Sequence, residues 1–452
     1  MITYKPGGFR LSLRGGMTLT EMLVATAMTL VIMGVVVQLF GMVGKGVSSS
    51  RASLDMSMQL RAVAHTLRTD LNGITVETVP PVKVDSDSGY LEIIEGSGSD
   101  TSRGFKQLTG DIDDVLMFTA QTSGKLFVGK FGESEDVNGN GKLDTFPDVP
   151  QAEDEDTNNN GLFDTGLIQS PYAEVVWFCR EASSTSQPLA NANPPTTLYN
   201  LHRRQLLVMD YVGADPFHGT NRINGSLPAA YETYDVAMRQ IGANGNNILL
   251  PNGLADLTKR ENRFLHNFPG TVSAAVFPYE NVVANLASGP LAGNREGEDI
   301  ILTNVLAFDV RVFDPTAKAR QSSLGVAVVP GDPGYSTNLT ELASGAYIDM
   351  SVSNGGTFNA MNAKSQLQQA TYDTWSDHYE FNGLDEDHDL IVDEKYNQID
   401  DDSNGIVDDS NELETSPPYP VPLRGLEVRI RIYDNSTRQV RQVTVRHTFV
   451  PH

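Results

Sequence analysis

From Met17 to Val43 every position is apolar or small apart from threonines, Gln38 and a single charge, Glu21. As a helix rising about 1.5 Å per residue, this run covers about 40 Å, enough to cross a hydrocarbon core of about 30 Å. Gly41, Gly44 and Gly46 follow, and because each glycine weakens a helix by about 1 kcal/mol relative to alanine, they predict a bend or local melting. Beyond them Met56, Leu60, Val63, Leu67 and Leu71 recur at three- and four-residue steps, while Arg61, Arg68 and Asp70 fall on other faces. That period predicts an amphipathic helix with one buried stripe, ending at the stop signal Asn72-Gly73.

After residue 73 the period changes to two. Leu426, Val428, Ile430 and Ile432 alternate with Glu427, Arg429 and Arg431, which gives a strand one buried and one wet face. Further strands are expected at Val115–Thr119, Glu174–Phe178, Leu206–Met209 and Asn304–Phe313, and a closing hairpin pairs Leu426–Tyr433 with Gln439–Val450 around Asp434-Asn435-Ser436. The expected fold is α+β: a long N-terminal helix, membrane-spanning in its first half, packed on an antiparallel sheet with long insertions. With 452 residues the chain makes one elaborated domain or two.

Charge sharpens this picture at both ends. Residues 1–16 carry Lys5, Arg10 and Arg14, no acid, and end in Gly15-Gly16. A secretory signal loses its apolar region on cleavage; here the basic stretch comes first, so a cut after Gly16 keeps the helix. The positive flank also predicts a cytoplasmic leader, with everything beyond about residue 45 on the far side. The expected organisation is a leader at 1–16, a transmembrane helix at 17–43, its amphipathic continuation at 44–72 and an extracytoplasmic β-rich domain at 73–452. Glu21 is the anomaly, since a carboxylate in an apolar span is costly and needs a partner. After such a cut, the amino group of Met17 would be a cation at nearly the same depth, on its own chain or a neighbour's.

The stretch Gly16-Met17-Thr18-Leu19-Thr20-Glu21-Met22-Leu23-Val24-Ala25 resembles the cleavage and methylation motif of type IV pilins and type II secretion pseudopilins. The resemblance implies that a prepilin peptidase cuts after Gly16 and methylates Met17, and that Glu21 assists packing with other pilins or pseudopilins. Met17 stands where that family most often has phenylalanine. The segments Leu67-Arg68-Thr69-Asp70-Leu71 and Asp114-Val115-Leu116-Met117-Phe118, with the closing hairpin, resemble the larger minor pseudopilins of the J type in secretion systems and the W type in pili. This implies a bacterial inner-membrane, single-pass subunit of a pilus or secretion system that is not an enzyme. Residues 181–300 and 315–380 match nothing in that family and read as insertions.

The acidic balance, 57 acids against 33 bases for a net charge of −24, disfavours nucleic acid as a partner and favours cations. It is concentrated at 136–164 and 385–409. Asp136, Asn138, Asn140 and Asp144 place oxygens at positions 1, 3, 5 and 9 of a loop with Gly141 at position 6. The spacing returns in Asp156, Asn158, Asn160 and Asp164, and in Asp400, Asp402, Asn404 and Asp408; a fourth copy, Asp385, Asp387, Asp389 and Asp393, has Leu390 at the glycine position. A hard cation such as Ca²⁺ wants six to eight oxygens at about 2.3–2.6 Å, which alternate residues of a tight loop supply. The apolar residue at position 8, Val392 or Val407 in the later copies, is expected to anchor each loop to the core. These loops resemble those of EF-hand, dockerin and thrombospondin type 3 repeats. Position 12 holds Pro147, Leu167, Tyr396 or Asn411 rather than glutamate, which implies affinities of about 10⁻⁴–10⁻³ M, typical of extracellular sites.

Other chemistry is sparse. The lone Cys179 cannot form an internal disulfide and reads as a buried strand residue, so a domain outside the cytoplasm needs another staple. The eight histidines form no HExxH pair, and His202-Arg203-Arg204 reads as a salt-bridged strand edge. A membrane-tethered, calcium-dependent binding module or hydrolase is the alternative from another class.

Overall fold

The computed structural model describes residues 17–79, 82–84, 86–95, 111–131, 166–182, 197–209, 227–241, 248–266, 291, 295–332, 334–350, 371–374, 376–381, 383, 392–393, 397–400, 405–408, 422–435 and 437–449. Helix α1 runs uninterrupted over Leu19–Asn72. The local melting expected at Gly41, Gly44 and Gly46 does not occur: helix formation is cooperative, and residues already flanked by turns keep their hydrogen bonds despite the glycine cost. The helix lives in two environments. Residues 17–47 are exposed throughout, whereas Met56, Leu60, Val63, Ala64, Leu67 and Leu71 are buried, the stripe that the sequence period predicts. One helix, near the N-terminus, is thus long and apolar enough to cross a membrane.

The helix stops where Asn72-Gly73 requires it to. The Gly73 N–H donates to the Asp70 and Leu71 carbonyls, and a Cβ at Gly73 would stand 2.5 Å from the Gln121 carbonyl oxygen. Only glycine allows the helix end to approach the sheet so closely. Asp70, expected to face away, is buried instead: Arg203 donates to both its oxygens at 2.7 and 2.8 Å, and Trp177 Nε1 donates at 3.1 Å.

In chain order the strands are β1 (Leu91–Ile94), β2 (Val115–Gln121), β3 (Phe127–Lys130), β4 (Leu167–Ser170), β5 (Tyr172–Glu181), β6 (Tyr199–Val208), β7 (Met238–Ile241), β8 (Ile248–Pro251), β9 (Ile300–Gln321), β10 (Ala327–Val328), β11 (Thr340–Ile348), β12 (Thr371–Asp373), β13 (Gly425–Asp434) and β14 (Gln439–Thr448), with helix α2 (Leu227–Thr233) before β7. Ten of them build one antiparallel sheet in the order β12-β1-β2-β5-β6-β9-β13-β14, with β10 and β11 also on β9. The closing hairpin pairs through every position from Gly425↔Thr448 to Asp434↔Gln439. The sheet curls around the helix, so that Leu116, Trp177, Val310, Val428 and Val445 share one core with Leu60 and Leu67.

A third layer was not expected. Residues 227–241 and 248–266 cover the outer face of β1, β2, β5 and β6, forming a second core of Val115, Met117, Val176, Phe178, Leu206, Leu257 and Phe264. Burial on both faces explains the continuous apolar runs of β2 and β5. The regions read as insertions are therefore partly framework: β9 extends to Gln321, β11 pairs along it, and β12 closes the sheet edge. His202-Arg203-Arg204 is salt-bridged, through Arg203 to Asp70 and Arg204 to Asp235 and Asp299, but on the interior strand β6 rather than an edge. Cys179 is half-buried on β5 against the first core.

Candidate functional site

Three sets of carboxylates stand out. At the N-terminus Gly16 lies outside the described residues, and Met17 is exposed. Thr18 is the N-cap of α1: its N–H donates to Glu21 Oε2 at 2.9 Å, and the Glu21 N–H donates back to Thr18 Oγ1 at 3.3 Å. This reciprocal capping box gives Glu21 a local partner that charge reasoning missed, although the Thr18-x-x-Glu21 spacing signals it.

In the acidic loops, Asp136, Asn138, Asn140, Asp144, Asp156, Asn158, Asn160, Asp164, Asp385, Asp387, Asp389, Asp402 and Asn404 lie outside the described residues. Asp393, Asp400, Gly405 and Asp408 are described. Asp393 Oδ1 accepts from the Gly383 N–H at 3.1 Å, and Asp408 Oδ1 accepts from the Gln398 N–H at 3.0 Å. Both bonds close a ten-residue span, both aspartates have φ 53°, and their partners Gly383 and Gln398 have φ 74° and 64°. The last two loops thus share one geometry at their ends, as their shared spacing implies. Gly405, at position 6, has φ 91° and donates its N–H to Asp400 Oδ2 at 2.8 Å. The expected anchor is not there: Val392 and Val407 are 41% and 50% exposed. The turns are held by backbone hydrogen bonds to carboxylates rather than by burial of position 8.

The third set was invisible in the sequence. Glu95 directly follows β1, Asp111 and Asp114 precede β2, and each is 1% exposed. Their ligand oxygens lie within 4.8 Å of one another, and the trio could hold a metal ion. Backbone bonds aim the side chains: the Met350 N–H donates to Glu95 Oε2 at 3.1 Å, the Val310 N–H to Asp114 Oδ2 at 2.7 Å and the Ile112 N–H to Asp111 Oδ1 at 2.7 Å. Buried Asp349 stands beside them, paired with Arg311 at 2.9 Å; Arg311 also serves Asp309 and Asp332. Burial first, then the Asp114, Asp349 and Asp111 charges, pushes the Glu95 carboxyl well above the usual range. Burial and the Asp113 side chain push Asp111 up to about 9. Asp114 is raised well above by burial and by the Asp111 and Asp309 charges. At neutral pH such a centre holds protons or exchanges them for a cation.

A contrasting buried network joins residues 260–266 to the sheet. Arg263 Nη1 donates to Glu92 Oε2 at 2.8 Å and Asp373 Oδ1 at 2.9 Å, Arg260 Nε donates to Asp373 Oδ2 at 2.6 Å, and His266 Nε2 lies 3.0 Å from Glu92 Oε1. The Arg263 guanidinium also stacks 4.1 Å from the Tyr90 ring centre. The His266 and Glu92 side chains are both 0% exposed. No protein-family model, curated protein or solved structure matches this chain.

Proposed function

We propose that the protein is a structural minor pilin or pseudopilin, a single-pass subunit of the bacterial inner membrane whose large domain lies outside the cytoplasm. Prepilin peptidase removes residues 1–16 and methylates Met17, and the subunit joins other pilins through its helix. The observation that carries the reading is the division of α1: one continuous rod, wholly exposed over 17–47 and mostly apolar over 17–43, and then the core of a curled sheet over 56–71. An exposed apolar stretch of that length is untenable in water and fits lipid or neighbouring apolar helices. Glu21 sits at the third helical position, next to where a cut after Gly16 would place a new amino group. The carboxylate can then exchange its bond to the Thr18 N–H for one to that cation or to its equivalent on a neighbour.

Calcium completes the proposal. Asp136, Asp156, Asp385 and Asp400 open four loops of one spacing, and the last two share backbone conformation at the described ends. Ca²⁺ would neutralise these acids and stiffen the long connections of a chain with no disulfide. The role is assembly rather than turnover, and nucleic acid is not a partner of so acidic a domain. Mass spectrometry of the protein isolated from its native membrane tests the core of this reading. The expected N-terminus is N-methylated Met17; an intact residue 1, or a start elsewhere, refutes it.

A further inference from the structure

The trio of Glu95, Asp111 and Asp114 belongs to none of the four spaced loops. Its members come from the two ends of the β1–β2 connection, and they meet the chain again more than two hundred residues later, at the end of β11. Backbone bonds fix the frame. The Phe308 N–H donates to the Asp111 carbonyl at 2.8 Å, and the Val310 N–H holds Asp114. These contacts dock the start of β2 on the stretch of β9 that β6 leaves unpaired.

Glu95 has an oxygen left over. Glu95 Oε2 accepts the Met350 N–H, but Glu95 Oε1, fully buried, accepts no hydrogen bond among the described residues. Leaving a carboxyl oxygen buried without a partner is costly, and a carboxyl oxygen of Glu95 lies within 4.8 Å of oxygens of Asp111 and Asp114. Oxygens bound to one calcium at about 2.4 Å stand at most about 4.8 Å apart, so the cluster is compact enough to share an ion. Three carboxylates with no nitrogen or sulfur ligand select a hard cation, and a monovalent ion would leave too much charge behind. Magnesium keeps several waters, which suits so deeply buried a cluster poorly.

We propose that Glu95, Asp111 and Asp114 bind one Ca²⁺, separate from the acidic loops, as a latch tying the β1–β2 connection to β9 and the end of β11. The Asp349 carboxylate adds negative potential while remaining with Arg311. The latch does the work of a crosslink in a chain whose lone cysteine offers none, and it stands whether or not the protein is a pilin.

The test uses the full-length chain in detergent micelles, freed of metal by a chelator and dialysed against Ca²⁺ alone, with bound calcium counted by elemental analysis. Asp136→Asn, Asp156→Asn, Asp385→Asn and Asp400→Asn together disable the loops. In that background one calcium per chain is expected to remain, and adding Glu95→Gln with Asp114→Asn is expected to remove it. Zero binding before the trio substitutions, or a count they leave unchanged, overturns the proposal. Glu95→Gln alone guards against misfolding, since the amide oxygen can still accept the Met350 N–H. Without calcium it is expected to melt no lower than its parent, because it relieves repulsion, and it is expected to lose the parent's rise in Tm on adding calcium. Coincident melting curves for the parent with and without calcium mean that the acids share protons only, and the latch is then refuted.

Discussion

Glu92 and Glu95 stand three residues apart on and just beyond the same strand, both buried, and the chain treats them in opposite ways. Glu92 faces Asp373 directly across the β1–β12 ladder, a pairing of like charges that destabilises a sheet. Arg263 Nη1 bridges the two carboxylates, with Arg260 and His266 behind it. Glu95 meets Asp111 and Asp114 instead, with Arg311 already engaged by Asp309, Asp332 and Asp349. Where the protein carries its own cation the burial is balanced permanently; where it does not, stability becomes conditional on what the solvent supplies.

The largest expected effect comes from breaking the balanced side. Arg263→Ala leaves Glu92 and Asp373 facing each other with one guanidinium fewer, and removing one partner of a buried ion pair typically costs about 3–5 kcal/mol. Urea unfolding followed by tryptophan fluorescence should show that loss with or without calcium. A loss that calcium reverses would mean that the two clusters are not independent. The conditional side should respond to the ion instead: at a hundredfold excess over its dissociation constant, one bound calcium adds about 2.7 kcal/mol. A full-length chain whose unfolding midpoint is the same in calcium and in EDTA would erase the contrast.

His202 is the converse case, a buried base beside the wrong charge. It stacks on Phe178 at 5.0 Å, and burial, assisted by Arg180, lowers its pKa from 6.5 to about 4. Below pH 6.5 the unfolded chain takes up a proton that the folded chain refuses. The stability His202 allows is therefore complete above 6.5 and falls as the pH drops toward 4, by at most about 1.4 kcal/mol per pH unit. His202→Phe should flatten the unfolding free energy between pH 6.5 and 4; an unaltered slope would place the acid sensitivity elsewhere.

What the sequence revealed and what it hid follow the same division. Met56 to Leu71 at helical spacing, Asn72-Gly73, and the apolar face of Leu426 to Ile432 are local patterns, and the structure places each as they require, although Glu427, expected on the wet face, is buried against Arg429 and Arg446. The repeats that begin at Asp385 and Asp400 are legible for the same reason, since oxygen side chains set within nine residues leave a spacing. Glu95, Asp111, Asp114 and Asp349 are gathered by sheet topology from three separate segments, and no spacing records it. The second core was hidden likewise: Leu257 and Phe264 sit in short irregular turns with no period to betray them. Only the unbroken apolar runs of β2 and β5, too hydrophobic for a sheet with one wet face, signalled a covering layer.

The smallest expected effect tests whether the last two loops really are copies. The same position, two residues before each loop's first aspartate, is Gly383 at φ 74° in one and Gln398 at φ 64° in the other. A side chain in that left-handed conformation costs about 1–2 kcal/mol, and glycine gives back about 0.5–1 kcal/mol through the greater freedom of its unfolded chain. Gln398→Gly should therefore stabilise the calcium-free protein by roughly 0.5–1 kcal/mol. Because it preserves the N–H that Asp408 accepts, the calcium count should not change. If the substitution destabilises instead, the Gln398 side chain contributes something glycine lacks, and the equivalence of the two loops fails at that residue. If it stabilises, the sequence repeat is a repeat of backbone conformation, one of its copies built with a residue that the turn itself disfavours.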